Sequence, residues 1–161
     1  PGRALVRCRS SAAQSEAYAP GHAFLGPVVG PSSMTLTTGQ AAYEEAGLGP
    51  EDVSLALCHD AFANEELDYY ELLGFCEPGE GDRLVADGET ALGGRIPFNT
   101  DGGLIARGHP GGPTGAAMVH EIVLQLRREA GARQVERARV GLAHCVGGGS
   151  VCKVNIFEGI D

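Results

Sequence analysis

Positively charged side chains are scarce in this sequence. Its 161 residues include 12 lysines and arginines but 21 aspartates and glutamates, which gives a formal net charge of -9 at pH 7. A nucleic-acid-binding surface needs a concentration of basic residues to neutralise phosphates. The sequence therefore argues against a nucleic-acid partner.

The sequence also lacks a long apolar run. No uninterrupted stretch reaches the roughly 18 apolar residues that a membrane-spanning helix needs, and residues 1–10 lack the hydrophobic segment of a signal peptide. The five cysteines are odd in number and lie far apart, unlike the framework of a small secreted protein. We therefore expect free thiols, no membrane span and a cytoplasmic location.

Length and composition predict a single globular domain over residues 1–161. With 43% apolar and 20% charged residues, the chain has the composition of a protein that folds. No internal repeat of about 20–50 residues is visible. The first residue is Pro1, so we also expect that the sequence begins inside a longer protein.

Three segments carry the signals of helices. The first follows Ser32 or Ser33, either of which can cap it, and the second follows Asp60 as its cap. The third begins at Pro113, because proline suits the first position of a helix. The predicted helices are residues 32–46, 61–73 and 113–130, and the predicted inward face of the third consists of Ala116, Val119, Ile122 or Val123, and Leu126.

Short apolar runs between these helices predict strands. The predicted strands are residues 4–9, 53–58, 139–143 and 151–157, with a turn at 145–150 between the last two. Two segments rich in glycine and proline, 19–31 and 77–101, predict long loops. Strands that alternate with helices predict a layered α/β domain.

Reactive side chains occur at three predicted strand or loop ends. His59 follows the second strand, His109 precedes the third helix, and Cys145 follows the third strand. Ligands of open α/β sheets bind beyond the carboxyl ends of the strands, where helix N-termini supply hydrogen-bond donors. All three positions qualify as candidate sites.

Two of these side chains suit acid/base or nucleophilic chemistry. The imidazole of His109 lies in a glycine-rich stretch and can act as a general base towards a thiol, although a loop histidine that bonds a carbonyl fits equally. Cys145 is followed closely by three consecutive glycines, whose N–H groups can stabilise a thiolate or an oxyanion. A structural cysteine before a tight turn is the alternative.

A zinc site is the remaining chemical possibility. Two Cys-His pairs, Cys58-His59 and His144-Cys145, supply four potential ligands. Consecutive residues of an extended segment point to opposite faces, so neither pair should converge on one ion. We therefore predict no metal.

Three motifs in this sequence resemble those of the thiolase superfamily. Residues 102–115 contain its Gly-His-Pro motif, residues 145–149 match Cys-x-Gly-Gly-Gly, and His-Asp-Ala-Phe at 59–62 stands where classical thiolases have Asn-Glu-Ala-Phe. The motifs occur in the family's order, and the similarity runs from about residue 31 to 158. The histidine at 59 resembles the sterol-carrier-type thiolases and the lipid-transfer-protein-like branch, which has cysteine at the position of Ala61.

This resemblance implies a fold and a set of roles. The chain would be the C-terminal half of the two-half thiolase fold, a mixed β-sheet covered by helices. His109 would activate the nucleophile and help bind the acyl oxygen, Cys145 would exchange the proton on carbon, and His59 would lie in an oxyanion-hole region. The substrate-binding positions that the resemblance adds are Gly147, whose N–H would contribute to an oxyanion hole, Gly108 and Phe62.

The implied reaction is Claisen condensation or thiolysis of a 3-ketoacyl-CoA, with a coenzyme A thioester as substrate. In the family the acyl-accepting cysteine belongs to the N-terminal half, so the expected partner is such a half or a second copy in a homo-oligomer. One alternative is a retro-aldolase subunit acting on a β-hydroxyacyl-CoA beside an acyl-CoA-binding partner with an oligonucleotide-binding-type fold. Another is a non-catalytic binding or assembly module.

Overall fold

A four-stranded mixed sheet forms the centre of the molecule. The computed structural model describes residues 4–16, 32–148 and 151–160. The strands are β1 (Leu5–Ser15), β2 (Leu55–Leu57), β3 (Val140–Gly147) and β4 (Val151–Ile160), in the order β1-β4-β3-β2. β4 runs antiparallel to both neighbours, whereas β2 and β3 are parallel. This is the mixed sheet of an α/β domain that the resemblance implies.

Helices cover both faces of the sheet, and the sheet separates two apolar clusters. One cluster joins β3 and β4 to the first two helices, through residues such as Met34 and Tyr69, and the other joins β2 and β3 to the last helix through Met118 and Ile122. The helices are α1 (Ser32–Ala46), α2 (Ala63–Leu72), α3 (Gly81–Ala86), α4 (Gly103–Arg107) and α5 (Thr114–Leu126), with 3-10 turns at Pro50–Asp52 and Gly131–Arg133.

Close approach of α5 to the sheet depends on a glycine in β3. A Cβ built on Gly141 would lie 2.6 Å from the Cγ2 atom of Ile122, so any larger residue would force the helix away. Gly141 and Ala143 lie on the α5 side of β3, and both are small. This face of the strand therefore admits the helix at short distance, which brings its first turn near Cys145.

The strands differ in length from their predicted spans. β1 pairs with β4 from Leu5 to Ser15, with a register shift between Cys8 and Ser10, whereas the alternation of residue types predicted only 4–9. β2 is shorter than predicted. β3 continues to Gly147, so Cys145 lies within a strand and not in a turn. Pairing with β4 extends β1 and β3 beyond their apolar runs.

The helices also require corrections. α1 ends before Gly47, which has the predicted left-handed conformation, with a φ of 66°. The helix begins at Ser32, so Ser33 lies inside it and does not cap it. Pro113 is the residue before α5 and not its first residue. The predicted loop 77–101 contains α3 and a bridge between Phe98 and Ala56. The predicted loop 19–31 lies outside the described residues.

The inward face of α5 is predicted only in part: Ile122 and Leu126 are buried as expected. Ala116 is exposed, and the buried side chains are Thr114, Met118, Glu121, Ile122, Gln125 and Leu126. Counting apolar residues missed half of this face because three of its members, Thr114, Glu121 and Gln125, are polar. Glu121 and Gln125 are buried because they hydrogen-bond within the protein.

Glu121 is the centre of that polar network. Its carboxylate lies 2.9 Å from Nη2 of Arg133 and accepts hydrogen bonds from Thr100 at 3.1 Å and Gln125 at 3.0 Å. Burial raises the pKa of Glu121, but hydrogen bonds from these three partners outweigh it, so the pKa lies below its ordinary value. The network connects α5 to the segment before α4 and to the second 3-10 turn.

We expect Glu121→Ala to lower the free energy of unfolding by about 2–3 kcal/mol, since it leaves charged and polar partners unsatisfied. The matched control is Glu136→Ala, at an exposed position. Because the folded pKa is depressed, the carboxylate stabilises the protein above its unfolded pKa, and this stabilisation disappears as pH falls through the folded value. Urea unfolding at neutral pH and at pH 3 measures both effects, and equal losses in the two variants would contradict the assignment.

Among the described residues, no helix is both long and apolar enough to span a membrane.

Candidate active site

The turn after β2 is held by a buried aspartate. Asp60 does not cap α2 as predicted; the residue before that helix is Phe62. Instead, Oδ1 of Asp60 accepts a hydrogen bond of 2.9 Å from the N–H of Leu104 in α4. Gly103, at φ 64°, leaves the space for this carboxylate, since a Cβ there would overlap it. The hydrogen bond therefore ties the turn that carries His59 to the start of α4.

Asn99 fixes the other side of the same turn. Its side-chain Oδ1 accepts from the N–H of Cys58 at 3.0 Å, and its own N–H donates to Ala56 at 2.9 Å. Asn99 adopts a left-handed φ of 44°, which asparagine tolerates better than most residues. The end of β2 is thus held by hydrogen bonds between Asn99 and the backbone of Ala56 and Cys58.

The three predicted catalytic side chains lie together at one edge of the sheet. Sγ of Cys145 is 3.6 Å from Nδ1 of His59. The rings of His59 and His109 meet edge to face, with centroids 4.8 Å apart. His59 is buried, Cys145 is half-buried and His109 is exposed. The arrangement joins three segments that are distant in the sequence.

Hydrogen bonding around His109 determines which ring nitrogen is free. The hydroxyl of Thr114 donates its one hydrogen to the carbonyl of Pro110 at 2.8 Å. The same oxygen lies 2.9 Å from Nδ1 of His109, so it accepts from an N–H there. The lone pair of neutral His109 is therefore on Nε2, which is the atom that can act as a base.

Cys145 lies on the α5 side of β3, beside the first turn of that helix. A Cβ on Gly115 would be 3.6 Å from its sulfur, and the N-terminus of a 13-residue helix favours a nearby thiolate. Burial nevertheless raises the pKa of Cys145, as does Cys152, while Arg107 lowers it. In this chain the thiol is therefore protonated at neutral pH. Gly149, a member of the predicted glycine nest, lies outside the described residues.

His59 is neutral under the same conditions. Burial lowers its pKa most, followed by His109 and Arg107, to about 4. A neutral imidazole can donate a hydrogen bond from one nitrogen and accept at the other. Nδ1 of His59 can therefore form a hydrogen bond with the thiol of Cys145 while Nε2 forms one with a ligand.

The predicted substrate-binding positions lie within a few residues of the cluster in sequence. Phe62 is 54% exposed, although it is apolar and adjoins the His59 turn. Gly108 directly precedes His109 and has a φ of 86° that glycine accommodates. Gly147 is exposed at the end of β3. Two grooves of about 620 Å³ lie elsewhere, beside α3 and between α1 and α2.

A second buried histidine lies directly behind Cys145. His144 points to the opposite face of β3, as predicted, where Nε2 is 3.1 Å from the hydroxyl of Thr35 and the ring packs on Tyr69 at 4.3 Å. Burial, and then His59, lowers the pKa of His144 to about 3. Sequence reasoning treated this residue only as a potential metal ligand, but it connects α1 and α2 to the sheet.

Comparison with known proteins identifies the family. The model described as "Thiolase C-terminal domain-like" matches residues 29–157. Sterol carrier protein 2 of Rattus norvegicus is 44% identical over 125 residues, which are 78% of this chain and 23% of that protein. Acetyl-CoA acetyltransferase of Methanothermobacter thermautotrophicus is 48% identical over 125 residues, 77% of this chain and 33% of that protein.

Solved structures agree with this result. A structure titled "Ltp2-ChsH2(DUF35) aldolase" matches with a TM-score of 0.69 and 30% identity, covering 78% of this chain and 32% of the matched one. The chain belongs to the thiolase C-terminal domain family. It spans about a quarter to a third of the length of the curated relatives it matches.

The two neutral, buried histidines predict a loss of stability in acid. Each would bind a proton in the unfolded chain below about pH 6.5 but not in the folded protein until about pH 4 or 3. The free energy of unfolding should thus fall with decreasing pH over that window, by about 1.4 kcal/mol per unit for each histidine. His144→Gln should reduce this slope, whereas His120→Gln, at an exposed position, should not. Chemical unfolding at pH 4.5, 5.5 and 6.5 measures the slope, and an unchanged slope in His144→Gln would contradict the assignment.

Proposed function

We propose that this chain is the C-terminal catalytic domain of a thiolase-type acyltransferase that acts on 3-ketoacyl-CoA. One observation carries the proposal: the thiol of Cys145 lies 3.6 Å from the imidazole of His59, whose ring contacts that of His109. A thiol and two imidazoles at the end of a parallel strand pair suit proton transfer to and from carbon. The similarity to an acetyl-CoA acetyltransferase and to sterol carrier protein 2 supports a coenzyme A thioester as substrate and a role in lipid metabolism.

Each side chain has a distinct part in this proposal. Nε2 of His109 takes the proton of the attacking thiol. The bond between the α and β carbons of the 3-ketoacyl-CoA then breaks, and its electron pair moves to the α carbon. The protonated thiol of Cys145 donates its hydrogen to that carbon. Condensation follows the same steps in reverse. Neutral His59 donates its free N–H to a thioester oxygen. The backbone N–H of Gly147 acts as a second oxyanion donor, and Gly108 and Phe62 contact the substrate.

The proposal includes a partner. The relatives are three to four times longer than the segment they share with this chain, and His109 of the reactive cluster is exposed. Ile105 in α4 is 69% exposed and Phe62 is 54% exposed, so apolar surface is available beside the cluster. We propose that an N-terminal thiolase half covers this face and supplies the acyl-accepting nucleophile, with residues 1–161 as one domain.

Reconstitution of thiolysis tests the proposal. The chain is combined with the N-terminal half of a thiolase, and acetyl-CoA formed from acetoacetyl-CoA and coenzyme A is measured by chromatography. Cys145→Ala and His109→Ala should each lower the rate by about 10²–10⁴-fold, because each removes a proton-transfer group. His120→Gln, at an exposed position on α5, is the matched control. Undiminished turnover by Cys145→Ala would exclude the proposed chemistry.

A retro-aldolase subunit is the second candidate, favoured by the match to a structure titled as an aldolase. It would cleave a β-hydroxyacyl-CoA beside a partner with an oligonucleotide-binding-type fold, and the same chromatographic assay with that substrate separates the two reactions. A non-catalytic binding module is the third, favoured by the raised pKa of Cys145. Acyl-CoA binding without turnover of either substrate in the reconstituted protein would support it.

A further inference from the structure

A small pocket lined by arginines lies at the C-terminal end of α5. Its volume is about 90 Å³, and Arg127, Arg128 and Arg139 all line it. A single water molecule takes about 30 Å³ in the liquid, so this pocket can hold a ligand the size of a few waters. Cys145 lies at the other end of α5, because its sulfur adjoins Gly115 in the first turn. A helix of 13 residues is about 20 Å long, so the pocket is separate from the reactive cluster.

The three arginines concentrate positive charge in a chain whose formal net charge is -9. Nε of Arg127 donates to the carbonyl of Ala4 at 3.2 Å, which orients its guanidinium group. Within residues 4–16, 32–148 and 151–160, no carboxylate forms an ion pair with any of the three arginines. Like charges repel one another across a few ångströms, so an anion in the pocket would relieve this repulsion.

A glycine in β4 keeps the pocket open. Gly159 lines it, and the N–H of Gly159 donates to the carbonyl of Arg139 at 2.9 Å, which holds Arg139 beside the strand. A Cβ built on Gly159 would lie 3.4 Å from the carbonyl oxygen of Leu126 and 3.7 Å from the Cβ of that residue. These are ordinary contact distances, so the backbone would accept an alanine that occupies part of the space. Gly159→Ala therefore makes the pocket smaller without changing its charge.

Stabilisation of the helix does not account for all three arginines. Cations near the last turn of a helix complement its dipole, and Arg127 and Arg128 follow α5 directly. Arg139 lies just before β3, where it has no such role, yet it lines the same pocket. Arg128 also has a φ of 61°, a conformation for which glycine is the usual residue after a helix. An arginine at this position adds a charged side chain to the pocket that a glycine would not supply.

We propose that this arginine pocket, formed by Arg127, Arg128, Arg139 and Gly159, binds a phosphate group. A guanidinium group presents paired N–H donors in one plane, which match two oxygens of a phosphate. A tetrahedral anion can accept from guanidinium groups in several directions, whereas the two oxygens of a carboxylate lie in one plane. The ligand is inorganic phosphate or the phosphate group of a small phosphomonoester. This site lies outside the acyl-transfer chemistry and does not depend on that proposal.

Amide NMR at constant ionic strength tests the site. The ¹⁵N-labelled 161-residue chain is titrated with sodium phosphate at pH 7.5 while sodium chloride keeps the ionic strength fixed. We expect saturable shifts of the amides of Arg128, Arg139 and Gly159. Arg128→Met and Arg139→Met should each weaken the binding about tenfold, because each removes charge-assisted hydrogen bonds. Gly159→Ala should weaken it as well, because the added methyl group takes space from the ligand.

A parallel titration with glycerol 3-phosphate distinguishes the two sources of the phosphate group. An affinity equal to or above that for inorganic phosphate indicates the phosphate group of a larger molecule, whose remainder extends out of the pocket. A lower affinity indicates the free anion.

Arg137→Met is the matched control. Arg137 is exposed and lies two residues before Arg139, but it does not line the arginine pocket. Its removal changes the net charge equally and should leave phosphate binding unchanged. If the amide shifts do not saturate, or if Arg137→Met weakens binding as much as Arg139→Met, the attraction is merely diffuse and the inference is overturned. Thermal unfolding checks each variant; if an arginine variant does not fold, the binding measured for Gly159→Ala decides the matter.

Discussion

The hydrogen bond between Asp60 and the backbone N–H of Leu104 is the constraint on which the site depends. α4 has five residues, too few for a helix that is stable by itself. Asp60 fixes its first turn, and the helix in turn determines where Arg107 and His109 emerge. The same aspartate follows His59 directly, so one interaction sets the relative positions of both imidazoles. Without it, the contact between these two rings would depend on flexible glycine-rich segments.

One face of β3 carries the reactive Cys145, and the opposite face carries His144, which packs against the helices. On the α5 side, small residues admit the helix and leave Cys145 beside its first turn. On the α1 and α2 side, His144 fills a buried position between Thr35 and Tyr69. Low polarity on both faces keeps His59 and His144 neutral. The thiol therefore has neutral imidazoles as neighbours on both faces of the strand.

Sequence motifs predicted which reactive residues to consider, but not how they are held. His59, His109 and Cys145 stand in short, recognisable patterns, and the mixed sheet followed from alternating elements and the family resemblance. The cap assigned to Asp60 was wrong because a carboxylate before a helix is a local signal, whereas its partner, Leu104, is 44 residues away. α4 escaped prediction because it lies in a glycine-rich stretch. The polar part of the α5 face escaped prediction because Glu121 and Gln125 are buried by hydrogen bonds to residues outside the helix.

The alternation of side chains along β3 also constrains how this protein can change. Gly147 pairs with Val151, so only three residues separate the paired ends of β3 and β4. A one-residue insertion or deletion that slipped the strand would turn every side chain to the opposite face. Cys145 would enter the apolar layer beneath α1, and His144 would take its place beside His59. A one-residue change in the length of this connection that slips β3 is therefore incompatible with the site.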